Sequence, residues 1–292
     1  MSNSTQQTRV DERFHSEAQQ WSCVYDQPGL IADIYRLRRD RTLAAVQHFG
    51  FPGARVLEVG CGAGLISVTL AMQGYQVVAT DRLDEMVRLT GDRAKSAGVS
   101  GRMTTKQCDV YELPFPAESF DVVLAVGVLP WLRCPGRALL EIARVLSRSG
   151  RIIITSDNKW MLTTLFDPLC SPLTKPARCL ARWAFEQLKL VARSQKPVLH
   201  LYSSRRVDEL LSEAGLEKIS GTTLGFGPVV FLKHGVLPEL FSVRVHGKLQ
   251  RLADRGAPFV RSTGIEYLVI ARKSIRDPLL LDQTVHATGG ST

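Results

Sequence analysis

The stretch that most constrains what this chain can fold into is RVLEVGCGAGLISVTLA, residues 55–71. Val56, Leu57 and Val59, interrupted only by Glu58, read as a buried parallel strand. The chain then breaks at Gly60-Cys61-Gly62-Ala63-Gly64 and resumes with the helical pattern of Leu65, Ile66, Val68 and Leu70. Gly60 permits the sharp strand-to-helix turn, Gly62 removes a Cβ so that a ligand can touch backbone, and Gly64 lets the helix lie close to the strand. Such a loop binds a nucleotide-like ligand at the carboxyl edge of a sheet. The glycines fall at every second position, however, and Leu65 stands where a dinucleotide fold needs its third glycine, which disfavours a dehydrogenase.

Further strands follow in α/β order. Tyr75–Thr80 is an apolar strand ending on Asp81, 17 positions after Gly64, and the segment from Asp84 to Ala97 reads as a helix. A carboxylate at that strand end has two acceptor oxygens for two ribose hydroxyls, and Asp84 leaves it free of helix capping. Strands are expected at 102–107, 119–126 and 152–155, with a helix over 137–146. A helix over 205–214 then precedes a sixth strand at 217–224 and a seventh at 264–271.

Glu58 with the three glycines, Cys108-Asp109-Val110, LPFPAESFDVVLA and ALLEIARVLSRSGRIIIT together resemble the class I S-adenosylmethionine-dependent methyltransferases, of the small-molecule type that includes ubiquinone and natural-product enzymes. The resemblance covers 50–157 by motif and 200–272 in pattern only. It implies a Rossmann-like α/β fold with a seven-stranded sheet, the last strand antiparallel beside the fifth. It implies S-adenosyl-L-methionine as cofactor, held by Glu58, Gly60, Cys61, Gly62, Gly64, Asp81, Arg82, Asp109, Val110, Ala125 and Tyr25. In that family Asp109 accepts from the adenine amino group and Val110 donates its backbone N–H to the ring, with Leu113 and Phe115 walling the pocket. An arginine among Arg36, Arg38, Arg39 and Arg41 meets the cofactor carboxylate in similar enzymes. Two departures stand out: Ser149 replaces a turn glycine, and Trp131 stands where many relatives carry a histidine near the reacting methyl.

The domain reading places a disordered tail at 1–12, lid helices at 13–50 bearing Trp21 and Tyr25, and the catalytic domain at 51–275. Substrate-cap insertions occupy about 157–203 and 225–262, and 276–292 is a flexible tail. The net charge of +9 is concentrated in these insertions: residues 159–206 carry nine Lys/Arg against Asp167 and Glu186, and 231–261 carry six against Glu239 and Asp254. In the first, Arg178, Arg182, Glu186, Lys189 and Arg193 form a charged helical stripe with Leu180 and Trp183 on other faces. That helix reads as a substrate lid or as a peripheral contact with an anionic membrane, with the lid preferred. Six scattered cysteines form no C-x-x-C and no metal spacing, so no metal is expected, and they fit a reducing cytoplasm.

Methyl transfer is an in-line displacement that needs positioning above all, and a hydroxyl acceptor gains from a base. Asp157 and His200 are the candidates for that base. The expected reaction is O-methylation of a small molecule, and Trp160, Leu162, Leu165, Phe166, Phe226 and Phe231 in the two insertions suggest that the acceptor is lipophilic. A cofactor-binding protein that no longer catalyses and works through a partner is the alternative. An RNA methyltransferase is encouraged by the basic pI of 9.4 and opposed by the lack of a visible RNA-binding module.

Overall fold

The computed structural model describes residues 4–187, 199–232 and 234–274. In chain order the elements are α1 (Ser4–Ser22), α2 (Leu30–Phe49), β1 (Arg55–Val59), α3 (Leu65–Met72), β2 (Gln76–Asp81), α4 (Asp84–Ser96), β3 (Met103–Gln107) and β4 (Phe120–Ala125). Then follow α5 (Pro135–Val145), β5 (Leu146–Asp157), α6 (Leu162–Leu165), α7 (Lys175–Gln187), α8 (Ser204–Glu213), β6 (Leu216–Leu224), β7 (Val230–Phe231), β8 (His234–Gly235), α9 (Glu239–Asp254) and β9 (Glu266–Lys273).

Seven strands form one sheet in the order β3-β2-β1-β4-β5-β9-β6, with β7 and β8 a separate two-stranded ribbon. The strands from β3 to β5 run parallel, and β9 inserts antiparallel between β5 and β6. The fold is the doubly wound methyltransferase sheet that the motifs implied. Because side chains alternate along a strand, Leu57, Val123 and Ile152 enter the core under α5 and α8, while Val56, Val122 and Ile153 enter the core under α2 and α3.

The same alternation places three carboxylates on the α2 side of the sheet. Glu58 shares a face with Val56, Asp157 with Ile153, and Glu266 with Leu268 and Ile270. Asp157 and Glu266 are direct partners across the β5–β9 ladder, and α2 lays Arg38 against them.

The structure departs from the sequence reading at the N-terminus and in the insertions. The first helix starts at Ser4 rather than Arg13, since Val10 is buried and Asp11 pairs with Arg82. The α4 helix is preceded by Leu83 without a side-chain cap, and Asp84 pairs instead with Arg88. Leu180 and Trp183 on α7 are 67% and 59% exposed, turned away from the core. Lys189 and Arg193 of the supposed stripe lie outside the described residues.

Candidate active site

A cavity of about 270 Å³ opens at the carboxyl ends of β1, β2, β4 and β5. At one end it is lined by Gly60, Cys61, Gly62, Asp81, Arg82, Asp109 and Val110. At the other stand Tyr25, Tyr35, Arg38, Trp131, Asp157 and Glu266, with Glu58 also in the wall. Its roof is α1, through Val10, Asp11, Phe14 and Trp21.

The glycines divide their labour differently from one another. Gly60 has φ +69°, and a Cβ there would lie 2.5 Å from Val128 Cγ2, so its smallness lets the loop after β4 close on the turn. Gly62 has φ +53° and open space around the position of a Cβ, a cradle for a ligand against bare backbone. Gly64 does not line the cavity: its missing Cβ makes room for Thr90 of α4, not for the strand. Thr90 Oγ1 in turn donates to the Gly62 carbonyl.

Asp81 accepts the Gly62 N–H and the Leu83 N–H, each at 3.0 Å, which ties the loop to the end of β2. Burial raises its pKa, against the lowering effect of these backbone N–H groups. Asp109 accepts the Tyr111 N–H at 3.1 Å and pairs tightly with Arg82. Arg82 also reaches Asp11 at 3.2 Å, so one guanidinium joins the roof helix to the cavity floor. Phe14 meets Trp131 edge-on at 5.1 Å, and Trp21 meets Tyr35 at 5.6 Å, fastening the roof at its other end.

Burial pushes Glu58 up to about 7, opposed by the hydrogen bond from Ser67 Oγ. Burial likewise pushes Asp157 up to about 7, with the neighbouring Glu266 carboxylate adding to it and Arg38 opposing. Arg38 donates to Glu266 Oε1 at 3.0 Å. Burial works against the Arg38 charge, but Glu266, Tyr25 and Tyr35 outweigh it and hold the guanidinium protonated. Arg38 Nε, Glu266 Oε2 and Trp21 Nε1 have no hydrogen-bond partner among the described residues.

Several expected residues fall elsewhere. Ala125 is sealed in the core under α5, and Gly127 and Val128 after it line the cavity instead. His200 is outside the cavity wall, because its backbone N–H is held by the Pro130 carbonyl and its ring stacks on Tyr202. Leu113 and Phe115 belong to the core, Phe115 edge-on against Phe120. Among the described residues, none between Asp157 and Glu266 contributes to the wall. Of the four N-terminal arginines only Arg38 enters it, since Arg36, Arg39 and Arg41 pair with Asp33, Asp40 and Asp254. Glu266 was missed, though a lone acid opening the apolar run Tyr267–Ala271 carries the same signal that flagged Glu58.

Residues 57–154 match the methyltransferase domain family. The chain carries a methyltransferase domain. Its cofactor is S-adenosyl-L-methionine. A ubiquinone/menaquinone biosynthesis C-methyltransferase of Vibrio campbellii is 27% identical over 240 residues, 78% of this chain and 87% of that one. A ubiquinone biosynthesis O-methyltransferase of Azorhizobium caulinodans is 30% identical over 159 residues, 50% of this chain and 61% of the relative. Among solved structures, magnesium protoporphyrin IX methyltransferase of Synechocystis with bound SAH aligns with a TM-score of 0.58 at 17% identity, covering 91% of this chain and 99% of that one. The methyltransferase site fits the cofactor on its own geometry: the Gly62 cradle, a buried carboxylate at Asp81, and orphaned polar atoms on Arg38 and Trp21.

Proposed function

We propose that this methyltransferase acts on the hydroxyl of a small, lipophilic acceptor, with Asp157 as the general base. The observation that carries the reading is that Asp157, raised to about 7, lines the same cavity as the Gly62 cradle. Bound S-adenosyl-L-methionine supplies an electrophilic methyl group. Asp81 would hold its ribose, Asp109 and Val110 its adenine, and the free Nε face of Arg38 its carboxylate. Asp157 then takes the proton of the acceptor hydroxyl as its oxygen becomes the nucleophile. A base whose pKa matches the working pH is in its active form and still drives the transfer.

Arg38 and Glu266 position that base. Burial keeps the Asp157 carboxyl protonated above the ordinary carboxylate range; the Glu266 carboxylate adds to this and Arg38 opposes it, so the pair tunes the base in both directions. Tyr25, Tyr35 and Trp131 surround this end, and burial keeps both phenols protonated, so they order an aromatic or apolar acceptor without competing for the methyl. The relatives named for ubiquinone biosynthesis support a lipophilic acceptor, and Trp131 in place of a histidine leaves the base to Asp157.

The test is to incubate the protein with the cofactor and a series of catechols and hydroquinones of increasing tail length, and to identify products by mass spectrometry and NMR. Methyl ethers whose formation falls by about 10²–10⁴ in Asp157→Asn are expected. Ring-methylated products, or ethers formed equally fast by the variant, would overturn the hydroxyl-and-base reading.

A further inference from the structure

The second insertion holds a surface that the cavity does not use. On α9 the side chains of Ser242, His246, Gln250 and Ala253 are buried. His246 Nδ1 accepts the Phe226 N–H at 3.0 Å and Gln250 Oε1 accepts the Gly225 N–H at 2.9 Å, which fixes the rotation of the helix. Phe241, Arg244, Lys248, Arg251 and Arg255 follow one another at three- and four-residue steps, so they form one stripe about 180° from the buried face. None of the four basic residues forms an ion pair among the described residues.

Apolar tips flank this stripe. Leu240 at the start of the helix is 82% exposed, and Phe259 just beyond its end is 86% exposed. Phe259 also has φ +64°, and Leu232, earlier in the same insertion, has φ +50°. Bulky side chains in the left-handed region cost conformational energy, and here the cost serves to hold apolar groups out into solvent. A solvated charged face alone would need neither strain nor exposed leucine and phenylalanine.

We infer that the outer face of α9, with Leu240 and Phe259, docks on the surface of an anionic phospholipid bilayer. The basic stripe meets the headgroups while the apolar tips enter the acyl boundary. A nucleic acid would answer the charge and could stack on Phe241 or Phe259, but it would leave Leu240 in water, whereas an acyl boundary takes the leucine and the phenylalanines alike. The surface also adjoins the roof of the active site. A Cβ at Gly29, the break between α1 and α2, would lie 2.5 Å from Glu239 Oε1, so the first residue of α9 abuts the hinge of the roof helix. Membrane docking stands apart from the chemistry proposed above and holds for any acceptor.

The experiment is co-sedimentation of the full chain with vesicles of phosphatidylcholine alone or mixed with phosphatidylglycerol. Binding to the anionic vesicles at low salt, lost at high salt, is expected. Each basic residue contributes about fivefold to such partitioning, so Arg244→Gln with Lys248→Gln should weaken it about 25-fold. Leu240→Ser with Phe259→Asn should also release the protein, asparagine tolerating the left-handed backbone. Both variants should bind the cofactor normally in calorimetry, which reports an intact fold and separates this inference from the catalytic one. Failure of the parent chain to sediment, vesicle binding unchanged in both variants, or stripe-dependent binding to single-stranded RNA in place of vesicles would overturn it.

Discussion

Arg38 Nη1 sits 3.0 Å from Glu266 Oε1 across 228 residues of sequence, with the two side chains only 12% and 5% exposed. Helix α2 and the first residue of β9 thus meet inside the active site. Replacing one partner of a buried pair leaves the other charge uncompensated, at about 3–5 kcal/mol. Glu266→Leu should lower stability by that order in urea titration. Glu266→Gln, which keeps a hydrogen-bond acceptor for Arg38, should lose less. It also removes the charge that raises Asp157 while leaving Arg38, which lowers it, so the midpoint of the activity–pH curve should move below about 7. A pH midpoint that stays in place would reduce Glu266 to a structural role.

The raised Asp157 pKa has a sign for stability as well. The folded state holds this proton more tightly than the unfolded chain, so the contribution falls as pH rises from the ordinary carboxylate range to about 7. Asp157→Asn should therefore be near neutral at pH 4 and stabilising at pH 8. A three-unit shift sets a ceiling of about 4 kcal/mol, and relaxation of the site brings the expected gain to about 2 kcal/mol. Denaturation midpoints at the two pH values measure it.

Gly60 and Gly62 separate packing from binding. Gly60→Ala drives a methyl into Val128 and should cost about 1–3 kcal/mol of stability. Gly62→Ala meets nothing and should cost only about 1 kcal/mol for its backbone, yet abolish measurable cofactor binding by occupying the cradle. Calorimetry beside thermal melting would show the two effects divide in this way.

Asp81→Ala should weaken cofactor binding at least tenfold, since a charge-assisted hydrogen bond contributes about 1.5–3 kcal/mol. Asp81 also anchors the Gly62 and Leu83 N–H groups, so Asp81→Asn, which retains an acceptor oxygen, should recover part of the loop geometry but not the affinity. Unchanged affinity in both variants removes Asp81 from the site.

Arg82 links Asp11 of the roof to Asp109 of the floor. Arg82→Gln should speed hydrogen exchange across residues 7–17, and added cofactor should slow it in the parent protein. Exchange in this window that ignores both changes would make α1 ordinary packing.

The sheet was legible because its signals are local. Apolar runs closed by Gly60, Asp81 and Asp157 announce parallel strands, and the strand ends are where α/β sites gather. The acidic residues at β1, β2 and β5 were found in the same way. Glu266 and Arg38 were harder, since their meaning comes from a pairing across the whole chain that no spacing encodes. The roof was read too short, because α1 is polar along most of its length and only Val10 and Phe14 betray its contact. The insertions were less legible, because apolar residues there carry no sign of which way they turn: Phe166, Leu180 and Trp183 are exposed, while Phe226 is buried.

One roof, α1, rests on both ends of the cavity, by Asp11 on Arg82 and by Phe14 on Trp131. At 19 residues it is a single rod of about 28 Å, too stiff to uncover one compartment alone. A rod that lifts as one piece would give fresh cofactor, acceptor and both products a single doorway. The rate at which α1 lifts sets the upper bound on kcat, so kcat should fall as solvent viscosity rises while the pH midpoint set by Asp157 stays fixed.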